Sequence, residues 1–188
     1  MRQLIVLCLG ILVLSGCTSV VDSVTSEPIV ADPASTSAGT YYNDRKMDTF
    51  IGVNIKKAHP DLDASHINVS VAKAVVLLTG EVPSREMKML AGDTARDFTG
   101  VRLVHNELQV RGKTSIVSRT NDSMITAKIK TKLAFEEQVK AINIDVITED
   151  SVVYLMGTID RVSGDLAADI ASASGGVRKV VKVFEYID

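Results

Sequence analysis

An α+β fold of two similar small domains is predicted by three observations. An alternating apolar stretch runs into a nearly continuous one, a glycine ends that run, and the whole pattern returns later in the chain. The first occurrence is Ile67–Val82, INVSVAKAVVLLTGEV, and the second is Ile142–Ile159, INIDVITEDSVVYLMGTI. The runs stop at Gly80 and Gly157 and hand over to helical segments, each ending in glycine before a third strand, at Thr99-Gly100-Val101 and Gly175-Gly176-Val177. Self-similarity of this length fixes the number of structural units before any motif is read. The order in each unit is α-β-β-α-β, a three-stranded sheet with two helices on one face.

The elements of the first copy follow in order. Asn43-Asp44 offers a helix N-cap, and Met47, Ile51 and Ile55 recur at helical spacing up to Pro60. Ile67, Val69 and Val71 alternate as a half-buried strand, Ala72-Lys73-Ala74 turns, and Val75–Leu78 reads as a buried strand. Pro83-Ser84 opens a second helix carrying Met87, Leu90, Ala91, Ala95 and Phe98 on one face, and Gly100 suits its left-handed end. Val101–Val110 is the third strand, with Val104, Leu108 and Val110 expected inward. In the second copy Asn121-Asp122 repeats the cap, and Ile125, Ile129 and Leu133 repeat the helix face at the same spacing. The copies are expected at 44–110 and 122–188, joined by a linker at 111–121. Units of this size are marginal alone, so the two are expected to pack on each other.

Composition narrows the chemistry. The 188 residues carry a formal charge of −2 and are 46% hydrophobic, so no overall charge steers the chain toward nucleic acid. Both cysteines, Cys8 and Cys17, stand in the first seventeen residues, which leaves the folded part without a disulfide framework or a cysteine metal site.

Residues 1–16 read as an export signal: Arg2 supplies positive charge, Leu4–Leu14 an apolar core, and Leu14-Ser15-Gly16-Cys17 the exit. The apolar stretch is too short to span a hydrocarbon core of ~30 Å as a helix. LSGC resembles a bacterial lipobox, which implies cleavage before Cys17, acyl chains on its thiol and amine, and stable anchoring through more than one chain. The alternative is an ordinary signal whose exit happens to contain a cysteine. No cofactor is expected beyond those acyl chains. Thr18 follows, where related lipoproteins retained in the inner membrane favour aspartate, so the resemblance implies the outer membrane, facing the periplasm. Residues 17–43, rich in Ser, Thr, Ala, Val and Pro, read as a tether with a reach of roughly 25–30 Å.

With these elements in place the chain resembles the BON family, the bacterial OsmY and nodulation domain. The residues that carry the resemblance are the paired helices, the strand ends Val75–Gly80 and Val152–Gly157, and the starts Gly100-Val101 and Gly176-Val177. Two copies behind a lipobox imply a lipoprotein of the outer membrane that binds anionic phospholipid, mainly through the second copy, and supports membrane integrity near division sites.

No catalytic signature is present: the chain lacks G-x-S-x-G, H-E-x-x-H, G-x-x-x-x-G-K and C-x-x-C. His59, His66 and His105 lack metal-ligand spacing, and Asp61 and Asp63 lack the ligand series of a calcium loop. A non-enzymatic protein without a metal is expected, and nucleic-acid binding is disfavoured by the export signal and the scarcity of aromatic platforms.

The candidate site is the first helix of the second copy. At about 100° per residue, Ile125, Ile129 and Leu133 face the core. Met124, Lys128, Thr131 and Phe135 line a neighbouring face, with Lys132 between the two. Apolar tips beside lysines suit a bilayer surface, and Arg119 is expected to join Lys128 and Lys132 as a cationic cluster. The plain alternative is a solvated helix face whose Met and Phe pack on the neighbouring domain. In the first copy Lys46, Phe50, Val53 and Lys57 stand at the matching places, so Phe50 and Val53 are expected to form an apolar spot that meets protein. That spot supports a competing reading, an adaptor for an envelope assembly or cell-wall enzyme.

Overall fold

The computed structural model describes residues 40–112 and 116–187. The export signal, Cys17 and nearly all of the tether lie outside the described residues. The first copy contains α1 (Thr40–Ala58), the short α2 (Pro60–Asp63), β1 (His66–Ala72), β2 (Val75–Val82), α3 (Arg85–Arg96), β3 (Leu103–Asn106) and β4 (Gln109–Val110). The second contains α4 (Ile116–Ala134), a single 3₁₀ turn (Ala141–Asn143), β5 (Ile144–Glu149), β6 (Val152–Ile159), α5 (Arg161–Ser172) and β7 (Lys179–Tyr186). In each sheet the middle strand pairs antiparallel with the strand before it and parallel with the strand after the helix.

Helical spacing explains both cores. Ile51 and Ile55 of α1 meet Val76 and Leu78 of β2 and Met87, Ala91 and Ala95 of α3. Ile125, Ile129 and Leu133 of α4 meet Val153 and Leu155 of β6 and Ala167 and Ala171 of α5. Side chains capture the first turns of α3 and α5. The Ser84 hydroxyl accepts from Met87 N at 3.2 Å, and Asp160 Oδ1 accepts from Ser163 N at 2.9 Å. The third strand of the first copy is interrupted between β3 and β4, both of which pair with β2. The break drops Leu108 into the core and turns Val110 outward, 45% exposed, contrary to the inward placement expected from simple alternation.

The helix starts also depart from expectation. α1 begins at Thr40 and α4 is described from Ile116, so Asn43-Asp44 and Asn121-Asp122 lie inside helices and cap neither. The aspartates instead hold the hairpin turns. Asp44 accepts from the backbone N–H groups of Lys73 at 2.7 Å and Ala74 at 3.1 Å, and Asp122 from those of Asp150 and Ser151, both at 2.8 Å. The two-residue turns need positive φ at both central positions, a conformation usually left to Gly, Asn or Asp. Here Lys73 (48°), Ala74 (64°), Asp150 (47°) and Ser151 (61°) adopt it. A carboxylate that pairs both turn N–H groups offsets that strain and ties helix to sheet.

Strand alternation sends the remaining apolar residues to the opposite faces of the sheets. Val75 and Leu77 of β2 pack with Tyr154 and Met156 of β6 and Val183 of β7 in a third cluster, which joins the two copies sheet to sheet. This explains why β2 is buried along its whole length. Polar contacts border the cluster. Arg111 bridges the buried Glu81 at 3.2 Å and Asp150 at 2.9 Å, Arg178 reaches Asp150 at 2.9 Å, and Arg102 pairs with Glu185. Burial pushes the Tyr154 phenol up to about 12, with Glu107 and Glu149 acting in the same direction.

Two outcomes test these features. Asp122→Ala should destabilise the second copy by about 2–4 kcal/mol, since two charge-assisted hydrogen bonds are lost. Adding Ser151→Gly, which tolerates positive φ, should recover roughly 1 kcal/mol in denaturant unfolding. Tyr154, raised from 10.0 to about 12, stays protonated in the folded state where the unfolded chain ionises. Its contribution is therefore intact below pH 10 and falls as pH rises toward 12. Phenolate absorbance should show a late-titrating tyrosine that Tyr154→Phe removes.

Candidate functional site

The helix α4 lies over its sheet by the Ile125, Ile129 and Leu133 stripe, and the remaining three sides have different surroundings. The outermost side carries Met124 and Thr131, and Phe135 follows them just past the helix end. Met124 is 66% exposed and Phe135 85%, so both apolar tips stand in solvent rather than against the first copy. The Thr131 hydroxyl donates back to Ala127 O at 2.9 Å. It completes the helix surface and adds no outward donor.

Along one edge stand Lys128 and Lys132. Lys128 Nζ donates to Gly175 O at 3.1 Å, and Lys132 Nζ donates to Ser174 Oγ at 3.0 Å. Both ammonium groups thus sit where α5 ends, a position that its helix dipole favours for cations. An ammonium carries three donors, so each lysine keeps donors for a ligand while its stem is held at the rim of the exposed stripe.

Arg119 does not join this pair. Nine positions at about 100° each place it roughly half a turn of the helix away from Lys128. The structure puts it in a cleft facing β1 of the first copy, together with Lys130. The expected cluster of Arg119, Lys128 and Lys132 is corrected to two separate cationic edges. Lys130 was missed by the sequence reading, although its spacing from Arg119 puts both on one side of α4.

The expected apolar spot of the first copy is also corrected. Val53 has no exposed surface and Phe50 packs against the first core while staying partly exposed, so only Phe50 presents surface to a partner. Two of the histidines make structural contacts. His59 Nδ1 accepts from Asp61 N at 3.1 Å at the start of α2, and His66 stands 3.7 Å from Glu149 across the domain junction. Among the described residues no group of three His, Cys, Asp or Glu is arranged for a metal, and no helix is long and apolar enough to cross a membrane. Cys17, the expected acylation site, lies outside the described residues.

The comparisons with known proteins agree with this architecture. The family described as BON domain matches residues 51–112 and again 121–188. The chain is 32% identical over its whole length, and over 97% of the relative, to a Haemophilus influenzae protein named outer membrane lipoprotein DolP. It is 34% identical to the 21 kDa hemolysin of Actinobacillus pleuropneumoniae, covering 80% of this chain and 78% of that one. Against the osmotically-inducible protein Y of Escherichia coli it is 33% identical, covering 71% and 69%. With two matched domains, each built as helix, hairpin, helix and parallel strand, the chain belongs to the BON-domain family.

Proposed function

We propose that this is a lipid-anchored, non-enzymatic protein of the outer membrane, facing the periplasm, whose second BON domain docks on anionic phospholipid through α4. In this reading Cys17 is the acylated anchor, and the protein supports membrane integrity near division sites. The full-length similarity to an outer membrane lipoprotein supports the location. The observation that carries the binding site is the exposure of Met124 on α4 and of Phe135 just past its end, beside a helix whose core stripe is fully packed.

The energies favour a weak, reversible contact. Burying much of a Met or Phe side chain contributes roughly 1–3 kcal/mol, and each lysine near an anionic surface about 1 kcal/mol. Glu136 and Glu137 directly follow Phe135 and oppose an anionic surface within the screening distance of roughly 8–10 Å, which keeps the net contact weak. An acyl anchor makes such a contact sufficient, because it raises the local concentration of the domain at the membrane. Docking then reports lipid composition while attachment persists. The adaptor reading has less to rest on, since Val53 is covered, Phe50 is only partly exposed and the inner sheet faces meet each other.

The three apolar clusters are formed by residues from Met47 onward, so the two-domain part from Thr40 carries its own cores. In vesicle co-sedimentation at low salt this part should bind membranes containing phosphatidylglycerol and leave phosphatidylcholine vesicles unbound. Phe135→Ala should weaken binding about 5–10-fold, and Met124→Ala with Lys128→Glu should abolish it. Met89→Ala, exposed on α3 of the first copy, serves as the control and should change nothing. Equal binding by the double variant and the parent would remove α4 from the interface.

A further inference from the structure

The second cationic edge of α4 borders a cleft of about 480 Å³ whose walls come from both domains. The cleft is lined by His66 and Asn68 of β1, Arg119 and Lys130 of α4, and Glu149 at the end of β5. The acids of this cleft are already satisfied. Glu149 Oε2 accepts from Asn68 Nδ2 at 2.8 Å, and both oxygens of Asp122 are occupied by the N–H groups of Asp150 and Ser151. The hydroxyl of Thr126 is likewise engaged, donating to Thr148 Oγ1 at 2.7 Å.

The cations have no side-chain partner among the described residues. Arg119 Nε is shielded from solvent and has no hydrogen-bond partner. Among the described residues no carboxylate lies within ion-pair distance of Arg119 or Lys130. A charged group with a buried, unpaired donor is costly in a native structure, and an incoming acceptor relieves that cost. With the acids counted, the cleft is close to neutral overall, so selectivity rests on Arg119 and Lys130 in its lining rather than on a broad field.

We infer that this cleft is a binding site for a phosphate group, held by Arg119 and Lys130. A tetrahedral oxyanion presents acceptors in several directions, which suits a planar guanidinium fork on one side and an ammonium on the other. The volume exceeds that of a bare phosphate and accommodates a glycerol substituent. Because the walls belong to β1 and α4, a bound phosphate braces the contact between the two domains beside the Asn68–Glu149 hydrogen bond. The same chemistry is offered by a phospholipid headgroup or by a free phosphate compound. In the headgroup case the site deepens the membrane reading, with the apolar tips of α4 on one side of the helix and the phosphate grip on another.

The test follows amide NMR shifts of the two-domain part during titration with glycerol phosphate, inorganic phosphate and, as the ionic-strength control, sodium chloride. Saturable shifts at His66, Asn68, Arg119 and Thr126 with either phosphate are expected. Arg119→Gln and Lys130→Gln should each weaken them at least about 5-fold, and Met124→Ala with Phe135→Ala should leave them intact. Unchanged amide positions for Asp150 and Ser151 report that the Asp122 clamp, and so the local fold, survives in each variant. Shifts that chloride reproduces, that do not saturate, or that persist in both charge variants overturn the site. The source is read from vesicles: Arg119→Gln weakens binding to anionic vesicles if a headgroup occupies the cleft, and leaves it unchanged if a free phosphate compound does. Loss of vesicle binding in the Met124 and Phe135 variant alone keeps the membrane reading even where the phosphate site fails.

Discussion

The carboxylates of Asp44 and Asp122 hold the contact on which the rest of the architecture depends. Each stands on a buried turn of its helix and grips the two N–H groups of a hairpin turn in which, of Lys73, Ala74, Asp150 and Ser151, only Asp150 is a residue usual for its conformation. Fixing that turn fixes the register of the hairpin. A slip of one residue would exchange the two faces of β2, sending Val75 and Leu77 toward the helices and Val76 and Leu78 toward the other sheet. In the second copy the clamped residue Asp150 also receives Arg111 and Arg178, so the turn that sets one hairpin also helps to seat the other domain.

The helix α4 divides its surface among four duties. One stripe fills the core, one presents Met124 with Phe135 just past its end, one carries Lys128 and Lys132 against the end of α5, and one turns Arg119 and Lys130 toward the first domain. The matching helix of the first copy shares only the core stripe. Its counterparts of the exposed stripe include Val53, which is fully buried. Duplication has therefore kept the scaffold while the helix surfaces took separate tasks.

Most of the scaffold was legible because it is written in local period. Ile51 and Ile55, or Ile125, Ile129 and Leu133, can share a helix face only if the chain is helical, and the unbroken run Val75–Leu78 announced a strand covered on both sides. Gly80 and Gly157 close the apolar runs but lie inside strands that continue to Val82 and Ile159, and the structure shows why glycine stands there: a Cβ would sit 2.0 Å from the carbonyl oxygen of His66 or Asn143. What stayed hidden depends on contacts far apart in sequence. An aspartate near a helix start looks the same whether it caps that helix or reaches a turn some thirty residues on, as Asp44 and Asp122 do. Arg119 was grouped with Lys128 because the two are close in the chain, whereas the rotation of the helix separates them. The cleft with His66 could not be read locally at all, since His66 and Asn68 come from the other copy.

The sheet-to-sheet cluster has a consequence for how such a domain can exist. A single copy carries a sheet with helices on one face and a bare apolar face on the other: Val75 and Leu77 in the first, Tyr154 and Met156 in the second. Taken alone, either would have to find a matching surface by diffusion, and its folded fraction would follow its own concentration. Joining the two in one chain makes the encounter intramolecular. The tandem is in effect an internal dimer whose halves cannot dilute apart, and because they differ in sequence, each is free to specialise on the side that its partner does not cover.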